Sequence, residues 1–335
     1  MPVPQNGPVK TDFQKKRGDL MPPKKILVIV GPTASGKTRM AVELAQAHNG
    51  EVVSADSMQI YRRMDIGTAK PTAEEMGGIP HHMLDVADPE EDFSVARYVE
   101  MASACVDDIL SRGKLPIVAG GTGLYVDSLL SGRTFAAFSP ESPLRRELEE
   151  ELAQKGGGAM LEALSQVDPE AAGRLHPNDH KRIVRALEVY RSTGKTISEH
   201  NRETQSIPPR YEALTIGLNF QDRADLWERI DQRVDQMASA GLEREVRALL
   251  SSGLPRTCTA MQAIGYKEFV AAVEGEMTWH EAEELVKLRS RQYAKRQITW
   301  FRRNPETHWL LWEKNPNFGI ARQRSTELLE EFGVG

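Results

Sequence analysis

Gly31, Gly36, Lys37 and Thr38 stand at the spacing G-x-x-x-x-G-K-[ST] in "GPTASGKT", after the apolar run "KKILVIV" and before the helical pattern "TRMAVELAQAH". A glycine-rich turn between a strand and a helix start aims several backbone N–H groups at one point, where they bind phosphate oxygens. Within Gly31, Pro32, Thr33, Ala34, Ser35, Gly36, Lys37 and Thr38, the lysine adds a point charge and the Thr38 hydroxyl can ligate Mg²⁺. A second chemistry-bearing residue is Asp56 in "EVVSADSMQIY", just past another apolar run. Open parallel sheets gather their ligands at the carboxyl ends of their strands, so Asp56 is expected to face the phosphate site. Its carboxylate reads as a general base for an acceptor beside the phosphates, with a helix N-cap or a Mg²⁺ ligand as alternatives. Nucleoside triphosphatases of this architecture add an apolar strand ending in Asp to hold the metal. The candidate strand here, "KLPIVAGG", ends in glycine.

These groups need a scaffold. The runs at 26–30, 51–55 and 115–119 lead into glycine-rich or polar turns with helical patterns between them, which predicts parallel strands in an α/β core of the P-loop NTPase type. From about 140 to 201 the composition shifts to Glu, Arg, Leu and Ala with helical periodicity. "LTIGLNF" then returns to strand character, and "HWLLWE" reads as a last strand or strand edge. The expected organisation is a disordered leader over 1–22, with Met21 a candidate start, and a catalytic core over 23–138 and 206–318 with basic C-terminal helices. A helical insertion over 139–205 interrupts the core.

Composition narrows the setting. Cys105 and Cys258 lie far apart and the eight His form no Cys/His cluster, so neither a disulfide framework nor a zinc module is indicated and a reducing, cytoplasmic compartment is expected. The apolar runs fall well short of the roughly 20 residues of a membrane helix. A net charge of −5 argues against a wholly basic nucleic-acid binder. Yet 287–303 holds seven Lys or Arg and no Asp or Glu. Arg289, Arg296 and Arg303 recur at seven-residue spacing, with Lys295 and Arg302 in the same stretch, so one helix face is a cationic stripe suited to phosphates or a solvated charged face. Lys181, Arg182 and Arg185 in "HKRIVR" form a second basic cluster within the insertion.

Together, "GPTASGKT", "SADSMQIYRRMDIGTAKP", "HHMLDVADP", "FSVARY", "GGTGLY", "HPNDHKRIVRALEVY", "AIGYKE" and "RQYAKRQITWFR" resemble the tRNA dimethylallyltransferase family, in family order over about 26–303. The resemblance implies transfer of a five-carbon dimethylallyl group from dimethylallyl diphosphate to the N6 amine of adenosine 37 in tRNAs reading codons that begin with U. Diphosphate is then the leaving group, which fits the missing Asp-ending strand because no γ-phosphate is attacked by water. The resemblance further implies a monomer with no obligate protein partner. It makes Asp56 the base, Arg223 a diphosphate clamp and Thr122 a residue near the reacting centre, with a surface helix charge and a tight turn as the respective alternatives. It implies contact with a tRNA anticodon stem-loop for Asp56, Ser57, Met58, Gln59, Thr122 and Arg145, and for Gln262, Gly265, Tyr266 and Lys267, where Tyr266 is alternatively a core aromatic. Lys181 stands where the family commonly has Gln, so the insertion cluster gains charge and loses an amide acceptor. A prenyltransferase acting on free AMP, ADP or ATP shares the loop and the Asp, and a small-molecule kinase shares the loop. The basic helix and the insertion favour tRNA.

Overall fold

The computed structural model describes residues 24–131, 142–205 and 207–334. Strand β1 (Lys25–Val30) runs through the glycine turn into helix α1 (Lys37–Ala47), followed by β2 (Gly50–Ser54), α2 (Ala73–Met76) and the two-residue β3 (His81–His82). Helix α3 (Val95–Ser111), β4 (Leu115–Gly120) and α4 (Gly123–Leu130) complete the first part. Four helices follow: α5 (Pro143–Val167), α6 (Pro169–Ala172), α7 (His180–Thr193) and α8 (Ile197–Gln205). The chain then returns as β5 (Glu212–Phe220), α9 (Arg223–Ala240), α10 (Leu242–Ser251), α11 (Tyr266–Val273), α12 (Trp279–Phe301), β6 (His308–Trp312) and α13 (Phe318–Glu331).

The strands form one sheet in the order β3-β2-β4-β1-β5-β6, and every neighbouring pair is parallel. In β1 every residue after Lys25 is buried, which is why "ILVIV" reads as an unbroken apolar run: helices cover both faces of the sheet. Met40, Leu44, Leu226, Ile230 and Leu328 pack on one face, and Tyr98, Val106, Tyr125 and Leu129 on the other. A third apolar cluster joins the segment after β2 to α10–α12 through Ile60, Leu242, Val246, Phe269 and Val286. Helices α5 to α8 gather a core of their own around Leu148, Met160, Leu164, Ile183 and Leu187, with α5 broken at Gly156 (φ 77°).

The parallel α/β core matches the sequence expectation, and the glycine turn lies at the carboxyl end of β1, between β4 and β5. The chain continues past 318, where the core was expected to end. β6, the strand expected at "HWLLWE", pairs with β5 before that point, and beyond it α13 buries Phe318, Ala321, Leu328 and Leu329. At Gly36 (φ 87°) a Cβ would come within 2.7 Å of the Phe318 ring, so this last helix touches the glycine turn directly. The expected leader over 1–22 and the expected junctions at 138–139 and at Ser206 lie outside the described residues.

Candidate active site

Residues 33–38 of the glycine turn form one wall of a cleft of about 1070 Å³. Lys37 Nζ donates to the Pro32 carbonyl at 2.7 Å. Burial, helped by the neighbouring Arg233 and opposed by Asp56, pulls the Lys37 ammonium down to about 7. Helix α9 brings two arginines to the turn from one face, at i,i+4 spacing. Arg229 Nε donates to the Ala34 carbonyl at 3.3 Å, and Arg233 reaches the Thr33 hydroxyl at 3.5 Å and the Ala69 carbonyl at 3.4 Å. Burial holds Arg233 below its ordinary range, with Asp56 opposing. Three cations crowded on one loop is an arrangement that a polyanion relieves.

The opposite wall is built from the end of β2. Asp56 Oδ1 accepts the Met58 N–H at 2.9 Å and the Gln59 N–H at 3.4 Å, so the carboxylate closes its own turn and keeps Oδ2 clear of those bonds. Thr122, at the start of α4, holds this turn from behind: its Oγ1 accepts the Ser57 N–H at 3.0 Å and donates to Ser57 Oγ at 3.2 Å. Gln59 Nε2 donates to the carbonyls of Thr68 and Ala69 at 3.3 and 3.1 Å. The preceding N–H groups of Asp65, Ile66 and Gly67 converge on the Glu245 carboxylate at 2.9, 2.8 and 3.1 Å. Met58, Ile66, Val234, Met237, Ile264 and Val286 line the same cleft. The glycine turn, a carboxylate and apolar side chains therefore share one space, which suits a short apolar chain esterified to phosphate and an acceptor that must lose a proton.

Helix α12 closes the cleft with Ser290, Tyr293, Arg296 and Gln297. Arg289, Lys295, Arg296, Arg302 and Arg303 are exposed. Two cations of the basic stretch are not part of that surface. Lys287 pairs with Asp235 at 2.6 Å and Glu284 at 2.8 Å, and Arg291 grips both oxygens of Asp231. They fasten α12 to α9.

Two sequence expectations are corrected by position. Arg223 does not line the cleft; it is the exposed first residue of α9, its guanidinium 4.6 Å from the Trp227 ring, and Arg229 and Arg233 are the arginines that reach the phosphate loop. Tyr266 is fully buried with its hydroxyl on Glu245, so it is a core aromatic and not a surface for RNA. Arg145 is bound by Glu149 at 2.8 Å and Glu188 at 3.3 Å, and Arg185 also meets Glu188, at 3.0 Å. Lys181 and Arg182 are exposed on the rim of a second cavity of about 370 Å³ between α6, α7 and α8. Gln262 lines the main cleft, Gly265 is buried and Lys267 is exposed. Thr122 lies behind the Asp56 turn and not on the cleft wall. Sequence reasoning missed Arg229, Arg233, Glu245 and Gln297. The i,i+4 spacing of the two arginines was a usable signal; a lone Glu or Gln on a charged helix was not.

The cleft is lined by hard-oxygen groups, the Thr38 hydroxyl and the carboxylates of Asp56, Asp65 and Glu75, and no group of three or more His, Cys, Asp or Glu able to hold a metal occurs among the described residues. This set fits a cation that shares its shell with phosphate oxygens and water and does not fit a closed protein cage.

Residues 59–304 match the family described as IPP transferase. A protein from Acetivibrio thermocellus named tRNA dimethylallyltransferase is 49% identical over 285 residues, covering 85% of this chain and 91% of that one. Another of the same name, from Symbiobacterium thermophilum, is 50% identical over 302 residues, covering 90% and 92%. Among solved structures, the tRNA isopentenylpyrophosphate transferase of Bacillus halodurans superposes with a TM-score of 0.68 at 41% identity, over 92% of this chain and 97% of that one. A eukaryotic dimethylallyltransferase captured acting on tRNA gives 0.77 at 32% identity, over 91% and 77%.

Proposed function

The chain belongs to the IPP transferase family, and on that premise we propose that it transfers a dimethylallyl group from dimethylallyl diphosphate to the N6 amine of adenosine 37 in tRNAs reading codons that begin with U. The observation that carries this reading is the convergence of the Asp56 carboxylate, the glycine turn and Arg296 of the basic helix α12 on one cleft.

The loop N–H groups, Lys37, Arg229 and Arg233 hold the diphosphate and stabilise the charge that grows on it as the C–O bond to the allylic carbon breaks. Thr38 would hold Mg²⁺, which would supply charge neutralisation for the leaving group. An adenine N6 amine is a weak nucleophile because its lone pair is delocalised into the ring. Asp56 accepts its proton as the new C–N bond forms. Thr122 acts on Asp56 through Ser57 as a positioning residue. The target base leaves its stack to reach the cleft, as bases in RNA loops do when recognised individually. Exposed Arg289, Lys295, Arg296 and Arg302, with Lys181 and Arg182 of the helical insertion, grip the phosphates of the anticodon stem-loop. Among the described residues no helix is long and apolar enough to cross a membrane, and we place the enzyme with its tRNA in the cytoplasm.

Incubation with labelled dimethylallyl diphosphate and either AMP or an unmodified tRNA tests the assignment. Label is expected in tRNA; faster labelling of AMP points to an adenylate isopentenyltransferase instead.

A further inference from the structure

Gln297 is a neutral side chain in the middle of the cationic helix α12, and it is 5% exposed. Its Oε1 accepts the Thr33 N–H at 2.9 Å, and its Nε2 donates to the Gly121 carbonyl at 2.9 Å. The two partners have opposite polarity and lie in opposite halves of the site. Thr33 belongs to the phosphate loop; Gly121 belongs to the turn that leads into Thr122, whose Oγ1 accepts the Ser57 N–H beside Asp56. One turn earlier on α12, Tyr293 lines the same cleft. The approach is tight enough that a Cβ on Gly121 would collide with Gln297 Nε2. An N–H on one side and a C=O on the other call for a side chain that accepts and donates at its tip, which is what an amide of this length offers.

We propose that Gln297 is a positioning residue for the transfer reaction, an amide strut that fixes the separation of the phosphate loop from the Asp56 turn; this rests on the prenyl-transfer reading above. Without the strut a backbone N–H and a buried C=O lose their partner, and the donor and acceptor halves relax independently. Reactions between two held substrates are sensitive to this, since a displacement of about 1 Å lowers a rate by about 100-fold. The strut also ties the loop to the helix that carries Arg289, Lys295 and Arg296, without Gln297 itself reaching RNA.

Two variants of the full chain test the proposal. Gln297→Met keeps length and loses both hydrogen bonds. Gln297→Glu keeps the acceptor for Thr33 but sets a carboxylate against the Gly121 carbonyl, and regains the donor on protonation. The readouts are kcat, KM for each substrate, calorimetric binding of inorganic diphosphate, and Tm. Gln297→Met is expected to lower kcat by roughly 10- to 100-fold and weaken diphosphate binding, with KM for tRNA within about twofold of the parent. For Gln297→Glu the rate relative to the parent is expected to rise as pH falls from about 8 to about 6, because burial raises the new carboxyl and protonation restores the strut. If Gln297→Met does not fold, this pH-dependent ratio decides. An unchanged kcat and diphosphate affinity, or a drop in Tm with equal losses for both substrates and a pH-independent ratio, overturns the proposal. A parent that labels AMP in place of tRNA would sink the functional reading alone, since diphosphate binding and AMP turnover still report on the strut.

Discussion

Trp312 donates its indole N–H to the Ser35 carbonyl at 2.8 Å, so the last strand of the sheet holds the middle of the phosphate loop. The Trp312 ring lies 5.0 Å from that of Phe318, and Phe318 occupies the space beside Gly36 where a side chain would otherwise sit. A loop that binds phosphate through its backbone depends on such external supports, because its own short side chains cannot fix the direction of its N–H groups.

Trp312→Phe keeps an aromatic ring and removes one buried hydrogen bond. A loss of about 1 kcal/mol in stability is expected, together with a raised KM for dimethylallyl diphosphate and little change in KM for tRNA. Trp312→Ala also opens a cavity, with a loss of about 3–5 kcal/mol. Denaturant unfolding and steady-state kinetics on the two variants separate loop support from bulk packing; equal KM values for the parent and Trp312→Phe would show that the hydrogen bond does not shape the loop.

Lys37 makes the site sensitive to pH in a defined direction. Its ammonium titrates at about 7 in the folded protein because burial, then Arg233, disfavour the charge. A bound diphosphate favours it, so binding is expected to take up a proton near pH 8, and affinity to fall as pH rises above about 7. Calorimetry with inorganic diphosphate in two buffers of different ionisation enthalpy reads the proton directly. The same shift acts on folding. Between about 7 and the ordinary lysine value of 10.5 the unfolded chain binds more protons, so the penalty from Lys37 is full below 7 and shrinks as pH rises. Lys37→Met should therefore gain more stability over the parent at pH 6 than at pH 9.

The basic helix divides into exposed cations, which we propose contact RNA, and cations paired within the fold. Neutralising Arg289, Lys295, Arg296 or Arg302 is expected to lower the slope of log affinity against log salt for tRNA by roughly 0.7–0.9 for each RNA phosphate that is no longer neutralised. Lys287→Ala and Arg291→Ala should leave that slope unchanged and lower Tm, because their partners are Asp235, Glu284 and Asp231. Filter binding over a salt series decides, and a flattened slope in the second pair would erase the distinction.

What the sequence showed and what it hid follow from the range of the interactions. The glycine turn, Asp56 and the parallel core were legible because each depends on neighbours a few residues away: Asp56 closes a turn on Met58 and Gln59, and β1 announces its burial residue by residue. Arg233, Glu245 and Gln297 were hidden because the loop and turn partners that place them in the site are 164 to 264 residues distant in the chain, and beyond the i,i+4 spacing of Arg229 and Arg233 nothing local marks them. The same cause misplaced Arg223. It is nearer β5 in sequence, but helix geometry points the residues six and ten positions later at the loop. Lys287 and Arg291 counted as free charge for a similar reason, since Asp235 and Asp231, which tie them down across the helix pair, belong to α9.

Asp56 provides the decisive separation of chemistry from binding. Asp56→Asn keeps an oxygen able to close the turn on Met58 and Gln59, so the loop between β2 and α2 should hold its shape and the protein its Tm. What it loses is the capacity to take a proton from the acceptor amine, a contribution of about 10²–10⁴ in rate for general base catalysis. Lys37 and Arg233 each lose a favourable neighbour, because Asp56 is the acid that raises both. Diphosphate affinity is therefore expected to hold at pH 6, where the Lys37 ammonium stays charged, and to weaken near pH 8, where the missing carboxylate leaves it more easily deprotonated. A kcat reduced by two to four orders of magnitude with tRNA binding retained supports Asp56 as the base. A reduced tRNA affinity with kcat preserved would make the carboxylate a contact for the substrate and leave the proton to another group.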